Sequence, residues 1–215
     1  MAPARPRTTP LGQPAANRVI ELPIPISNAA LVAALKSGRA EARKVLFDRY
    51  SDEIERLLYR VLGPDPELVD LLQDVFVAAL TSIHQLRDPH ALAGWLRGIA
   101  VRKARKCILK RQRWRFIQLA PPSELPEAEA LVPPAEVSEA LRCTYQVLGR
   151  LPADERVAFA LRFIDGMELS QVAEACGVSL ATIKRRLSRA QASFTKLAAE
   201  QPALVEWLQP GDEPS

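Results

Sequence analysis

Residues 168–197 read ELSQVAEACGVSLATIKRRLSRAQASFTKL, and the spacing within them decides the fold of the C-terminal part of the chain. A short helix over Ser170 to Ala175 turns Val172 and Ala173 inward and meets Cys176-Gly177-Val178. Gly177 is the residue there that takes the left-handed backbone most side chains resist. Ser179 then caps a second helix whose apolar positions are Leu180, Ile183, Leu187, Ala190, Phe194 and Leu197, recurring in steps of three and four. The other side shows Thr182, Arg185, Arg186 and Arg189. This is helix-turn-helix spacing, with the second helix shaped for a DNA major groove. Small polar groups at its first turn can meet bases, and the arginines can reach phosphates or guanine edges. The competing interpretation is a solvated basic face on an ordinary helical hairpin. Capping, turn glycine and basic stripe together favour DNA.

Upstream of this stretch the period stays helical. Leu141, Tyr145 and Leu148 belong to one helix, interrupted between Gly149 and Pro152. Val157, Leu161 and Ile164 mark the next, turned by Asp165-Gly166. Further back, from Ile117 to about Val137, the pattern fails. Five prolines (Pro121, Pro122, Pro126, Pro133, Pro134) and a run of glutamates predict an extended acidic linker and a domain boundary over 117–137.

The N-terminal half is again helical. Ser27 or Asn28 can cap a helix carrying Leu31, Ala34 and Leu35, with Gly38 placed to end it. A second stretch runs from Arg39 through Leu46, Phe47, Tyr50, Ile54, Leu57, Leu58 and Val61 until Gly63-Pro64 stops it. Asp65-Pro66-Glu67 is a helix start with an N-cap acid and an early proline. It opens a helix with Leu68, Leu71, Leu72, Val75, Phe76, Ala79 and Leu80 along one side. Asp88-Pro89 repeats the start before a long helix through Trp95 towards Arg113. Four such helices can bury a common core. The expected architecture is all-α: two small helical domains, 27–116 and 138–199, joined by a Pro/Glu-rich linker, with a C-terminal helix-turn-helix. Residues 1–26, with six prolines up to Pro25, read as a disordered tail and 200–215 as an acidic one, where Trp207 lies in a short apolar patch.

Charge segregates along the chain. The net charge is only +4, yet Arg97 to Arg115 carries nine basic residues and no acid, while Phe116 to Leu141 carries five glutamates and no base. In the basic helix Leu96, Ile99, Ala100, Ala104 and Ile108 form one flank, and Arg102, Lys103, Arg105, Lys106, Lys110, Arg111 and Arg113 fall on the others. Cations in that density can follow a phosphate backbone. Aromatics at its ends, Trp95 and then Trp114 and Phe116, can stack on or wedge beside unpaired bases. For Trp95 a place in the core is the stronger alternative. Asp70, Gln73 and Asp74 share a polar face of the third helix at i, i+3 and i+4 spacing. That face is either solvated or a dock for a basic partner.

Several classes are disfavoured by the same reading. No apolar run approaches the roughly 20 residues of a membrane span, and the N-terminus has no hydrophobic segment of a secretory signal. The three cysteines, Cys107, Cys143 and Cys176, form no C-x-x-C pair and lie at no zinc-like spacing from a histidine. No cofactor, metal or small-molecule substrate is expected.

Together these residues resemble the sigma-70 family of RNA polymerase initiation factors, in particular its compact extracytoplasmic-function type. Asp70-Leu71-Leu72-Gln73-Asp74-Val75-Phe76 is similar to the family's contact helix for core RNA polymerase, so the resemblance gives Asp70, Gln73 and Asp74 that role. Gly94-Trp95-Leu96 followed by Ile99-Ala100 is similar to the start of the helix that melts and reads the −10 element. It implies DNA contacts by Trp95, Arg102, Lys103, Arg105, Lys106 and Lys110. Leu151-Pro152 through Arg156, Phe163 and Gly166 resembles the lead-in to the −35-reading domain. Val172-Ala173-Glu174, Gly177-Val178-Ser179 and Thr182-Ile183-Lys184 resemble its helix-turn-helix. The implied −35 contacts are Ser179, Thr182, Lys184, Arg185, Arg186 and Arg189. Two positions depart from the family pattern: Arg102 stands where asparagine is common, and Arg43 where an aromatic is usual.

The function so implied is a non-enzymatic, cytoplasmic bacterial factor that brings polymerase to promoter DNA and helps open it, with an anti-sigma factor as a further expected partner. A free-standing transcriptional regulator would explain the helix-turn-helix but gives no role to the basic helix or acidic linker. A DNA recombinase would need a nucleophile supported by clustered arginines in an α/β domain, and the helical N-terminal half offers none.

Overall fold

A computed structural model describes residues 27–118 and 135–208. Expectations placed on the N-terminal tail, on most of the Pro/Glu-rich stretch and on the side chains of Phe116 and Trp207 lie outside the described residues. Among the described residues every regular element is helical. The helices are α1 (Asn28–Lys36), α2 (Ala40–Leu62), α3 (Leu68–Ser82), α4 (Leu92–Gln118), α5 (Ala135–Arg150), α6 (Ala153–Phe159), α7 (Leu169–Cys176), α8 (Leu180–Ala198) and α9 (Pro202–Leu208). No helix among the described residues is long and apolar enough to cross a membrane.

The helix ends follow from local chemistry. The Ser27 hydroxyl accepts from the Ala30 N–H and starts α1. Asp65 accepts from the Glu67 N–H at 2.9 Å, so the expected cap is present, but it opens a turn and the helix proper begins at Leu68. Asp88 does the same for His90, and a single 3₁₀ turn, Pro89–Ala91, precedes α4. Gly177 ends α7 at φ 64°, with its own N–H on the Glu174 carbonyl and the Val178 N–H on Ala173, the paired bonds that close a helix in left-handed backbone.

In the N-terminal half, α2, α3 and α4 pack on one another and α1 closes one side. Leu46, Ile54, Leu58, Val61, Val75, Leu92, Leu96 and Ala104 are essentially shut off from solvent. Leu96, Ile99, Ala100, Ala104 and Ile108 are all buried, so the flank expected to seat the basic helix does so.

The sequence gives no hint of how closely the halves adhere. Buried residues of α1 to α4 and of α6, α7 and α8 form one continuous apolar cluster, in which Ala100 and Ala104 share a core with Val157, Leu161, Val172 and Ile183. The polar side of this junction sits on the C-terminus of α2, whose last carbonyls have no partner within the helix. Arg156 reaches them from α6: its Nε donates to the Val61 carbonyl at 3.1 Å and its Nη2 to Leu62 at 2.8 Å. The Tyr145 hydroxyl, from α5, donates to the carbonyls of Tyr59 and Arg60 at 3.2 and 3.1 Å. Burial pushes the Tyr145 phenol up to about 12, so it stays a donor. Gly63, at φ 80°, leaves room for that ring: a Cβ there would lie 2.6 Å from it. The cationic guanidinium also complements the negative end of the α2 dipole.

Candidate nucleic-acid interface

Helix α4 presents its cations in two sets. Four are neutralised by acids from other elements. Arg97 donates to Glu53 at 2.6 Å, Lys103 to Asp74 at 3.0 Å and Arg105 to Asp154 at 2.5 Å, and Arg111 grips Asp65 with both guanidinium nitrogens. The absence of acids within the basic segment is therefore misleading, because compensation arrives from α2, α3 and α6 and from the turn before α3. Hydrogen bonding by Asp65, whose side chain is only 2% exposed, holds the Arg111 guanidinium above its ordinary value.

The second set forms no ion pair among the described residues. Arg102, Lys106, Lys110 and Arg113 are exposed and lie at i, i+4, i+8 and i+11, one stripe along the helix. At 1.5 Å per residue the stripe is roughly 16 Å long, the rise of about five phosphates on one strand of B-DNA. Trp114, four residues beyond Lys110, extends it and is 54% exposed. Trp95 is half-buried and packs against the core. Among the described residues of α4 the exposed aromatic, Trp114, is thus at the far end of the helix. Arg102, the departure from the family pattern, belongs to the open stripe.

Helix α8 is sorted in the same way. Lys184, Arg185 and Arg189 face solvent. Arg186 is turned inward, with Nη2 3.2 Å from Asp154. The Ser179 hydroxyl accepts from the Thr182 N–H at 3.2 Å and lies 2.9 Å from the Thr182 hydroxyl, so these two expected base contacts are engaged with each other as the cap. Ile183, Leu187 and Ala190 are buried and Phe194 stacks on Phe159, as the period requires. Leu180 departs: it is 44% exposed at the first turn, although the period places it with the inward positions.

On α3, Asp70, Gln73 and Asp74 are all exposed, with Asp74 also paired to Lys103. The same face carries Val69 and Val77, 61% and 62% exposed, and beside it Phe47 of α2 leans on Phe76 with ring centres 4.9 Å apart. An acidic face bordered by open apolar side chains marks a protein contact more strongly than either feature alone. The signal in the sequence was two valines on the polar side of an amphipathic helix. All three cysteines are free, and burial pushes the Cys176 thiol up to about 11, so it stays protonated at neutral pH. Among the described residues no cluster of His, Cys, Asp and Glu is arranged to hold a metal ion.

Comparison with known proteins places these surfaces in a family. Residues 46–115 match the family description "Sigma-70 region 2" and residues 141–192 match "Sigma-70, region 4", together more than half of the chain. The ECF RNA polymerase sigma-E factor of Haemophilus influenzae is 27% identical over 186 residues, covering 77% of this chain and 92% of the relative. The ECF RNA polymerase sigma factor SigM of Mycobacterium tuberculosis is 29% identical over 172 residues, 80% of this chain and 84% of the relative. Among solved structures, CnrH in complex with the cytosolic domain of CnrY is similar in fold, with a TM-score of 0.56 and 23% identity over 81% of this chain and 99% of that one. The sigma factor RpoE of Bartonella quintana, in complex with the anti-sigma factor NepR, gives 0.53 and 23% over 74% and 97%.

Proposed function

This chain belongs to the sigma-70 family of RNA polymerase initiation factors, of the extracytoplasmic-function type, and we propose that its three exposed surfaces serve the three encounters such a factor makes. It binds core RNA polymerase, directs it to promoters and assists melting. Asp70, Gln73 and Asp74, bordered by Val69 and Val77, dock on polymerase. Lys184, Arg185 and Arg189 of α8 meet duplex DNA at the −35 element, joined by Arg186 once it is released from Asp154. Arg102, Lys106 and Lys110 hold the phosphates of the separated −10 strand, and Trp114 offers a face for a base.

The observation that carries this assignment is that one chain bears two separate uncompensated cationic stripes, one groove-sized on α8 and one on α4 ending in an exposed tryptophan. A free-standing regulator needs only the first. Extruding a base costs on the order of a few kcal/mol. Stacking returns about 1–3 kcal/mol per base, and phosphate contacts made only to the open strand add to that. Melting then needs no catalytic group, and the factor acts by binding alone. Residues 27–116 would carry the polymerase and −10 functions and 138–199 the −35 function, connected by 117–137. The site of action is the cytoplasm, where polymerase is. The complex solved for RpoE with the anti-sigma factor NepR supports an anti-sigma protein as a partner for this chain as well.

Purified chain added to core polymerase should produce transcripts from promoters that core alone ignores, with protection of both −35 and −10 segments in footprints. Tight, specific duplex binding by the chain alone, with no complex formed with core polymerase, would establish the free-standing regulator instead.

A further inference from the structure

The first turn of α8 differs from the rest of the helix's open side, because what it shows to solvent is apolar. The Ser179 hydroxyl accepts from the Thr182 N–H at 3.2 Å and lies 2.9 Å from the Thr182 hydroxyl, so both hydroxyls are engaged within the cap. Between them Leu180 is 44% exposed, and Ala181 is exposed as well. The exposed cations, Lys184, Arg185 and Arg189, begin only after this turn.

Side chains on a helix lean towards its N-terminus, so Leu180 and Ala181 stand over the tip of α8. In a recognition helix the tip is the part that meets base edges in the major groove. The backbone beneath is fixed by the Ser179 cap and by Ile183, which is shut off from solvent. The leucine is therefore presented in place before any partner arrives. Of the groups by which the major groove distinguishes base pairs, the C5 methyl of thymine is the apolar one, and the others are donors or acceptors. A turn whose hydroxyls are engaged adds little to a polar code. A branched aliphatic side chain beside a methyl group can instead bury a thymine methyl from water.

We propose that Leu180, flanked by Ala181, is a specificity-determining residue that reads a thymine methyl in the −35 element. The inference rests on the −35 assignment of α8 above and adds the base edge that the helix tip selects. The cations of α8 hold the duplex, and Leu180 tests whether a methyl lies under the tip.

The test uses the full-length chain bound to core RNA polymerase. Duplexes with a randomised −35 segment are enriched for binding, and each thymine of the recovered sequence is replaced in turn by deoxyuridine, which lacks only the methyl group. One replacement is expected to weaken binding by the wild type about fourfold, the worth of one buried methyl group. Leu180→Ala should bind the thymine duplex more weakly by at least that factor and should no longer tell it from the uracil duplex at that position. Its slope of log affinity against log salt should be unchanged, since no charge is lost. Arg189→Ala should do the reverse, flattening the slope while keeping the thymine preference. A recovered sequence with no sensitive thymine would overturn the proposal and leave the DNA assignment standing. So would a thymine preference that persists in Leu180→Ala, even if that variant binds both duplexes more weakly, because Leu180 would then be touching something other than the methyl. If no −35 sequence is enriched at all, the assignment of α8 fails and the inference falls with it.

Discussion

Arg156→Met isolates the polar tie between the halves. The wild-type guanidinium is buried and donates two charge-assisted hydrogen bonds to carbonyls that α2 cannot satisfy itself. Each such bond contributes roughly 1.5–3 kcal/mol. Methionine keeps the apolar stem of the side chain in place, so the loss concerns the hydrogen bonds rather than a cavity. Water admitted at the junction recovers part of it, leaving an expected destabilisation of about 2–4 kcal/mol. For a chain of this size each kcal/mol moves the midpoint by about 2–4 °C, so Tm should fall by roughly 4–16 °C. Arg156→Lys should lose about half as much, because a single ammonium cannot span both carbonyls as the planar fork does. Calorimetry is the assay, since it also reports cooperativity. One continuous core predicts a single transition that shifts as a whole. Two transitions in the wild type, with the substitution moving only one, or a loss under about 0.5 kcal/mol, would show that the junction contributes little and that the halves fold independently.

Arg111→Met strands the Asp65 carboxylate beneath α4 and should cost about 2–4 kcal/mol in urea unfolding, whereas Asp65→Asn combined with it recovers part of the loss because the buried charge is gone. Alanine at Arg102, Lys106 or Lys110 should each lower the salt slope for forked promoter DNA bound by the polymerase complex by about 0.7, the value per phosphate on a single strand. Trp114→Ala should instead weaken binding by about 1–3 kcal/mol with the slope unchanged. Val77→Asp should reduce affinity for core polymerase at least about tenfold while leaving Tm and duplex binding by the free chain as they are, measured by titration of labelled core.

The parts legible in the sequence are those whose causes are local. Ser27, Asp65, Asp88 and Ser179 cap where their side chains reach a nearby N–H, and Gly177 turns the chain because one position needs left-handed backbone. The buried flank of α4 and the inward side of α8 follow from a period of 3.6. What escapes is non-local. Tyr145 and Arg156 meet α2 at sequence separations of 85 to 95, and nothing in their own neighbourhoods marks them as caps for another helix. Sequence separations of 29 to 49 hide the compensation of the basic helix, since Glu53, Asp74 and Asp154 are acids on separate helices. Periodicity also assigns faces without knowing which faces find partners, which is why Leu180, Val69 and Val77 remain open. Trp95 and Trp114 look alike in the sequence, and only the position of the core tells the packed ring from the exposed one.

The packing of the two halves on one another constrains how a partner that separates them can act. A ligand shifts a two-state equilibrium only by its difference in affinity for the two states, and reversing a 99-to-1 preference takes about 5.5 kcal/mol. The face of Asp70, Gln73 and Asp74 is exposed in the closed form. A polymerase contact confined to it gains nothing from opening, and so cannot drive it however tightly it binds. The driving contacts must be those that closure removes, namely Arg105, Arg186 and the apolar surfaces of α4, α6 and α7 that meet across the junction. Duplex DNA on α8 gains only Arg186, a modest difference, since Lys184, Arg185 and Arg189 are open in both states. It follows that DNA on α8 alone separates the halves weakly, and that a polymerase contact able to drive separation must include surfaces that the junction covers.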